Sequence, residues 1–179
     1  MLLGATRAHA DETPHRLQVS AGLGYAFPID ERLDGTEASG TGGFGEVEYV
    51  YNRVEWATPR AYAGALVTGS DGGCELTPCD VSAQIGFLGV KGRLLAPIPY
   101  VAPFFELGVG ASLGAMSTRV GGFVDIEKRG VMYHIPFSLG IAFGAHRDVE
   151  LSLQYLFHPE QEQFNGALAI GFGFPLGSP

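Results

Sequence analysis

The chain has 179 residues, enough for one domain or one barrel; 46% are hydrophobic, 27 are glycine, and the formal charge is −8. No run approaches the ~18 uninterrupted apolar residues that a transmembrane helix requires. An acidic balance without clustered Lys and Arg excludes nucleic acid as a partner, because phosphate binding needs concentrated positive charge.

The first ten residues read MLLGATRAHA, and Ala8-His9-Ala10 before Asp11 has the A-x-A form of a signal-peptidase site. The hydrophobic stretch of a full secretory signal is not among them, so the segment reads as a signal remnant or as a polar leader. Residues 1–15 are therefore expected to be remnant and unstructured leader, and residues 16–177 the folded domain.

Eight strand-like runs follow. Residues 17–27 alternate Leu17, Val19, Leu23, Tyr25 and Phe27 with Gln18, Ser20, Gly22 and Gly24, and a polar, glycine-rich connection covers 28–43. Residues 44–52 set Val47, Tyr49 and Tyr51 against Glu46 and Glu48. A short link over 53–59 leads to the run 60–68, whose faces the pattern does not assign. After a second polar connection over 69–80, the run 81–95 opens with Val81, Ala83, Ile85 and Phe87 on one face. Its phase changes near Gly89, where a bulge would turn Lys91 and Arg93 inward. A Pro-bounded turn at 96–99 precedes 100–116, which opposes Phe105, Leu107, Val109 and Leu113 to Glu106, Gly108, Gly110 and Ser112. Residues 117–130 are expected to form a charged loop.

The clearest alternation comes next. Val131, Tyr133, Ile135, Phe137, Leu139, Ile141 and Phe143 occupy every second position. After a turn at 144–148, Val149, Leu151, Leu153, Tyr155 and Phe157 do the same. A period of two puts these large apolar side chains on one face of each strand. The opposite face carries His134, Ser138, Ser152, Gln154 and His158. A sheet face in water would carry Lys, Glu and Thr; small polar residues with almost no charge suit an enclosed interior, so the apolar face meets lipid. Residues 159–163 connect to the last run, 164–174, with Leu168, Ile170, Phe172 and Phe174 outward.

These runs predict an all-β fold, an eight-stranded antiparallel up-and-down transmembrane β-barrel. The first, third and fifth connections are long and the second, fourth and sixth short, as in barrels with short periplasmic turns and longer extracellular loops. The seventh breaks the rule. An even strand count places both ends of the barrel domain on the periplasmic side, and aromatic residues near strand ends fit the interfacial girdles.

Pro99-Tyr100-Val101 with Gly108-Val109-Gly110, and the closing Gly171-Phe172-Gly173-Phe174, resemble the small eight-stranded, porin-like outer-membrane barrels of the OmpA/OmpX type. The resemblance covers residues 17–174. It implies residence in the bacterial outer membrane, contact with its lipids and with the barrel-assembly machinery, a monomer without cofactor, and loops open to surface ligands. One departure is the tail 175–179 after Phe174, since such barrels often end on the aromatic residue that the assembly machinery reads.

Three constellations bear on function. Cys74 and Cys79 lie close together in the second long loop, and in an oxidising compartment they can close a small disulfide ring; a metal pair is disfavoured by the absence of a nearby His. Glu46, Glu48 and Glu106 fall on the inward face, with Arg60, Lys91 and Arg93 as counter-ions; strand pairing places Glu48 near Arg60 and Glu106 near Lys91. An eight-stranded barrel is just wide enough for side chains to fill, so this network reads as a plug, with a gated polar path for small solutes as the rival. Finally, a hairpin centred near His146 sets His134 opposite His158, with Glu160 close in sequence and Ser138 and Ser152 on the same faces. Lipid A deacylases are small outer-membrane barrels with a His-Ser-Glu set, so His134, His158 and Glu160 form a candidate catalytic group. Against it, these faces point into the barrel, and two packed histidines are the plainer reading. No metal signature or nucleotide fingerprint is present. The reading that follows is a non-enzymatic barrel serving envelope integrity or surface interaction. A pore, a lipid A-modifying enzyme and a soluble lipocalin-like barrel with Phe137, Leu139, Leu151 and Leu153 inside are its rivals.

Overall fold

The structure, a computed structural model, describes residues 15–28, 39–51, 54, 56–70, 79–120, 124–161 and 163–177. Its strands are β1 (His15–Pro28), β2 (Gly40–Tyr51), β3 (Ala57–Ser70), β4 (Cys79–Leu95), β5 (Val101–Val120), β6 (Val124–Phe143), β7 (Val149–His158) and β8 (Gln163–Pro175). Each pairs antiparallel with its neighbours in sequence, and β8 pairs back onto β1 to close the barrel. The proposed signal remnant, 1–14, lies outside the described residues.

Alternation along the strands sorts the side chains. Leu23, Leu88, Val109, Leu113, Val131 and Leu139 lie on the outer face with more than half their surface exposed. Leu151 and Leu153 are exposed beside them, and Phe137 stacks on the outer ring of Tyr155 with centroids 4.9 Å apart. Lipid-facing leucines and a lumen holding Glu, Arg, Lys, Gln and Ser are the reverse of a soluble barrel with an apolar interior.

The third long connection is corrected. Residues 117–120 continue β5 and residues 124–130 belong to β6, with the tip, 121–123, outside the described residues. The hairpin ladder reaches Val120↔Val124, and β4 stays paired as far as Cys79↔Val120. The charges that suggested a loop are paired on the strands instead. Arg119 stands opposite Asp125 at 3.1 Å and reaches Glu127 of the same facing strand at 3.9 Å, while Arg129 meets Glu127 at 2.6 Å along β6. Opposite charges facing each other across a ladder support a strand. The ladder skips Gly108 and Val109, opposite Ile135 and Pro136, because Pro136 has no N–H to donate.

The bulge expected near Gly89 is absent. Register runs unbroken from Thr68↔Ala83 to Ala57↔Leu94 and from Cys79↔Val120 to Leu95↔Phe104. Val81, Ala83, Ile85 and Phe87 therefore share the inward face with Lys91 and Arg93, and Leu88, Val90 and Leu94 meet lipid. The lumen has an apolar layer, which takes the large side chains of β4. The structure also assigns β3: Arg60, Tyr62, Leu66 and Thr68 point inward, and Ala61, Ala63 and Ala65 outward.

The short-turn end is tied across strands. Arg16 pairs with Asp148 and donates to the carbonyl of His146 at 2.7 Å, while the amide of Gly144 donates to the carbonyl of Tyr100 at 2.9 Å. Gly144 and Arg147 hold positive φ of 92° and 56° in the β6–β7 turn, which glycine adopts at no steric cost. At the other end β7 passes into β8 through a 3-10 turn, Pro159–Gln161. Cys74 and the side chain of Cys79 lie outside the described residues. The disulfide predicts two thiols closed to alkylation in protein from the envelope and reactive after reduction; two freely labelled thiols in unreduced protein would remove it.

Candidate functional site

The inward positions nearest the short turns build a charged layer. Glu46 and Glu48 come from β2, Arg60 from β3, Lys91 and Arg93 from β4, Glu106 from β5 and Glu150 from β7, all buried. Lys91 is its centre: the ammonium lies 3.0 Å from Glu46, 2.7 Å from Glu48 and 3.0 Å from Glu106. Arg60 Nη1 reaches Glu48 at 2.5 Å and Gln18 at 3.0 Å. Arg93 donates through Nε to Glu106 at 2.7 Å, and its two terminal nitrogens clasp both oxygens of Glu150, Nη2 at 2.6 Å. A bidentate guanidinium–carboxylate pair of this kind is among the stronger polar contacts. Arg93 also lies over the ring of Phe104, 3.6 Å from its centroid.

Arg93 and Glu150 stand on strands three apart, so the pair crosses the lumen. Charges taken from water cost several kcal/mol each unless closely paired and hydrogen-bonded. Dense cross-lumen pairing meets that condition for the three cations, each of which reaches at least one carboxylate. Arg60 Nε alone among the described buried side-chain atoms has no hydrogen bond, standing 3.6 Å from Glu106.

Above the charges lies the apolar layer, with Phe44, Tyr62, Leu66, Ile85, Phe87, Met116, Met132 and Leu156 in contact. The histidines sit within it. His134 accepts from or donates to Tyr62 Oη at 2.6 Å through Nε2 and meets Ser112 Oγ at 2.9 Å through Nδ1. Ser112 Oγ is also 2.9 Å from His158 Nε2, and His158 Nδ1 is 3.1 Å from the carbonyl of Leu156 and from Asn165 Nδ2. Tyr62, His134, Ser112 and His158 therefore form one hydrogen-bonded chain. Gly110 leaves room for it, since a Cβ there would collide with Tyr62 Oη and His134 Nε2.

Of the candidate catalytic residues, the structure brings His134 and His158 together and leaves Glu160 out. Glu160 pairs with Lys128 at the surface. The serine beside the histidines is Ser112, not Ser138 or Ser152. It is 1% exposed and His158 is fully buried, so the group faces the lumen and not lipid. Sequence reasoning also missed Glu150 and Tyr62. The alternation of Glu150 with Leu151 already placed it inward, whereas the faces of β3 gave no such signal for Tyr62.

Among the described residues no group of three or more His, Cys, Asp or Glu could hold a metal. The outer apolar belt, the polar lumen and the closure of β8 onto β1 together decide the class. The fold is that of an eight-stranded outer-membrane β-barrel. A closed barrel with such a belt crosses the bacterial outer membrane without presenting a free sheet edge to lipid.

No known protein family's sequence pattern matches the chain, and no curated protein sequence does. Solved structures do. Neisserial surface protein A aligns with 91% of this chain and 97% of its own, at a TM-score of 0.59 and 14% identity. The outer membrane protein OprG from Pseudomonas aeruginosa covers 92% of this chain and 98% of its own, at 0.54 and 11%. Ail, the attachment invasion locus protein of Yersinia pestis, solved in complex with the heparin analogue sucrose octasulfate, covers 89% and 99%, at 0.50 and 12%. At these identities the likeness is one of fold.

Proposed function

We propose that this protein is a closed, non-enzymatic outer-membrane barrel that anchors its extracellular segments and supports envelope integrity, without passing solutes. The observation that carries this reading is the lock around Lys91, which ties three carboxylates from β2 and β5 to one ammonium, with Arg93 bridging to Glu150 across the lumen. The apolar layer above it supports the same reading. A water-filled pore would not need its charges paired so tightly.

Planar-bilayer recording from the purified barrel tests the proposal. The expected result is no steady single-channel conductance, alongside heat-modifiable migration in gels as the mark of a folded barrel. Steady conductance would instead favour the gated solute path. The burial of Ser112 and His158 supports a non-enzymatic role, and lipid A hydrolysis that disappears in His158→Ala would overturn it.

A further inference from the structure

The interior network is not balanced in charge. Among the described residues its buried acids are Glu46, Glu48, Glu106 and Glu150, and its buried cations are Arg60, Lys91 and Arg93, so full ionisation leaves one carboxylate in excess, four against three. An uncompensated charge in a sealed interior is very costly. A proton is the ligand that removes it without needing space.

The contacts single out the place. Glu48 meets Lys91 and Arg60, Glu106 meets Lys91 and Arg93, and Glu150 is clasped by both terminal nitrogens of Arg93. Glu46 has one cation, Lys91, and shares it with Glu48 and Glu106. Its register neighbours are Ser20 on β1 and Gly64 on β3, neither of them charged. The other titratable groups around it are Glu48 on its own strand, Tyr62 beside Gly64 on β3, and Glu106 across the same ammonium. No second cation among the described residues makes an ion pair with it. Three carboxylates crowding one ammonium disfavour the full ionisation of all three.

We propose that the folded barrel holds one proton on Glu46 as a fixed part of its interior. This rests on the closed-interior reading above, since water in the lumen would screen the excess charge.

Glu46→Gln, which mimics the protonated acid, tests this against Glu48→Gln and Glu150→Gln in lipid vesicles. The parent should show an infrared carbonyl band of a neutral carboxylic acid at neutral pH, absent from Glu46→Gln. Glu46→Gln should fold with near-parental resistance to urea. Glu48→Gln and Glu150→Gln should lose resistance at every pH. A parent without the band, or Glu46→Gln as damaging as Glu48→Gln, would overturn the proposal, as would stability that tracks added sodium or potassium. Conductance recorded on the same samples separates the two readings: a conducting parent sinks both, whereas a closed parent without the band sinks only the proton.

Discussion

Lys91→Met is expected to lower the stability of the barrel in bilayers by about 3–5 kcal/mol, the scale for removing one member of a buried ionic group. The loss arises from what remains, not from the methionine, whose bulk resembles the lysine stem. Glu46, Glu48 and Glu106 lose the ammonium within 3.0 Å of each, and Arg60 and Arg93 already hold other carboxylates. Neither guanidinium can turn to Glu46 without releasing Glu48, Glu106 or Glu150. Four acids would then face two cations. Adding Glu48→Gln to Lys91→Met should restore part of the loss, because it removes the carboxylate nearest to the missing charge, at 2.7 Å. Urea unfolding of vesicle-inserted protein measures both steps. A negligible effect of the single change would mean that water screens the orphaned carboxylates, and the interior would be a pore.

The sequence was legible where lipid-facing side chains are large and lumen-facing ones small. That holds for β6 and β7, where Leu139, Ile141, Leu151 and Leu153 alternate with Ser138, Gly140, Ser152 and Gln154. It fails on β3, whose outer face is Ala61, Ala63 and Ala65 while Tyr62 and Leu66 fill the lumen. It misleads on β4, because Ile85 and Phe87 belong to an internal apolar layer that the pattern of a polar-lined barrel does not anticipate. Contacts between neighbouring strands follow from register, so Glu48 and Arg60 on β2 and β3 could be placed together from the turn between them. Contacts across the lumen could not. Arg93 with Glu150 joins β4 to β7, and Ser112 with His158 joins β5 to β7. Their meeting depends on the curvature of the closed barrel, which no pair of adjacent strands encodes. Charge misled in its own way on 117–130, where paired ions on an exposed ladder carry the same composition as a solvated loop.

Leu139→Arg and Leu153→Arg should each cost about 2–4 kcal/mol of folding stability in a bilayer, the range for a cationic side chain on the lipid face near the midplane. The two residues are direct partners in the β6–β7 ladder, and both are exposed, 53% and 40%. Leu153 is the fifth of the ten residues of β7, so it sits midway along a strand of the length that crosses a bilayer at a tilt. An arginine at either site must bend toward an interface or draw water to itself. Closer to the strand ends, as at Phe157→Arg, the same charge should cost far less because the headgroups are near. Ser138→Arg, one residue from Leu139 but facing the lumen, meets a different limit: it is 2% exposed and has no room for the longer side chain. Its loss should persist in detergent micelles and in short-chain lipids, because it comes from packing. The loss at Leu139 and Leu153 should shrink as the bilayer thins. Equal and negligible effects of Leu139→Arg and Leu153→Arg in thick bilayers would mean that these side chains do not face lipid at all.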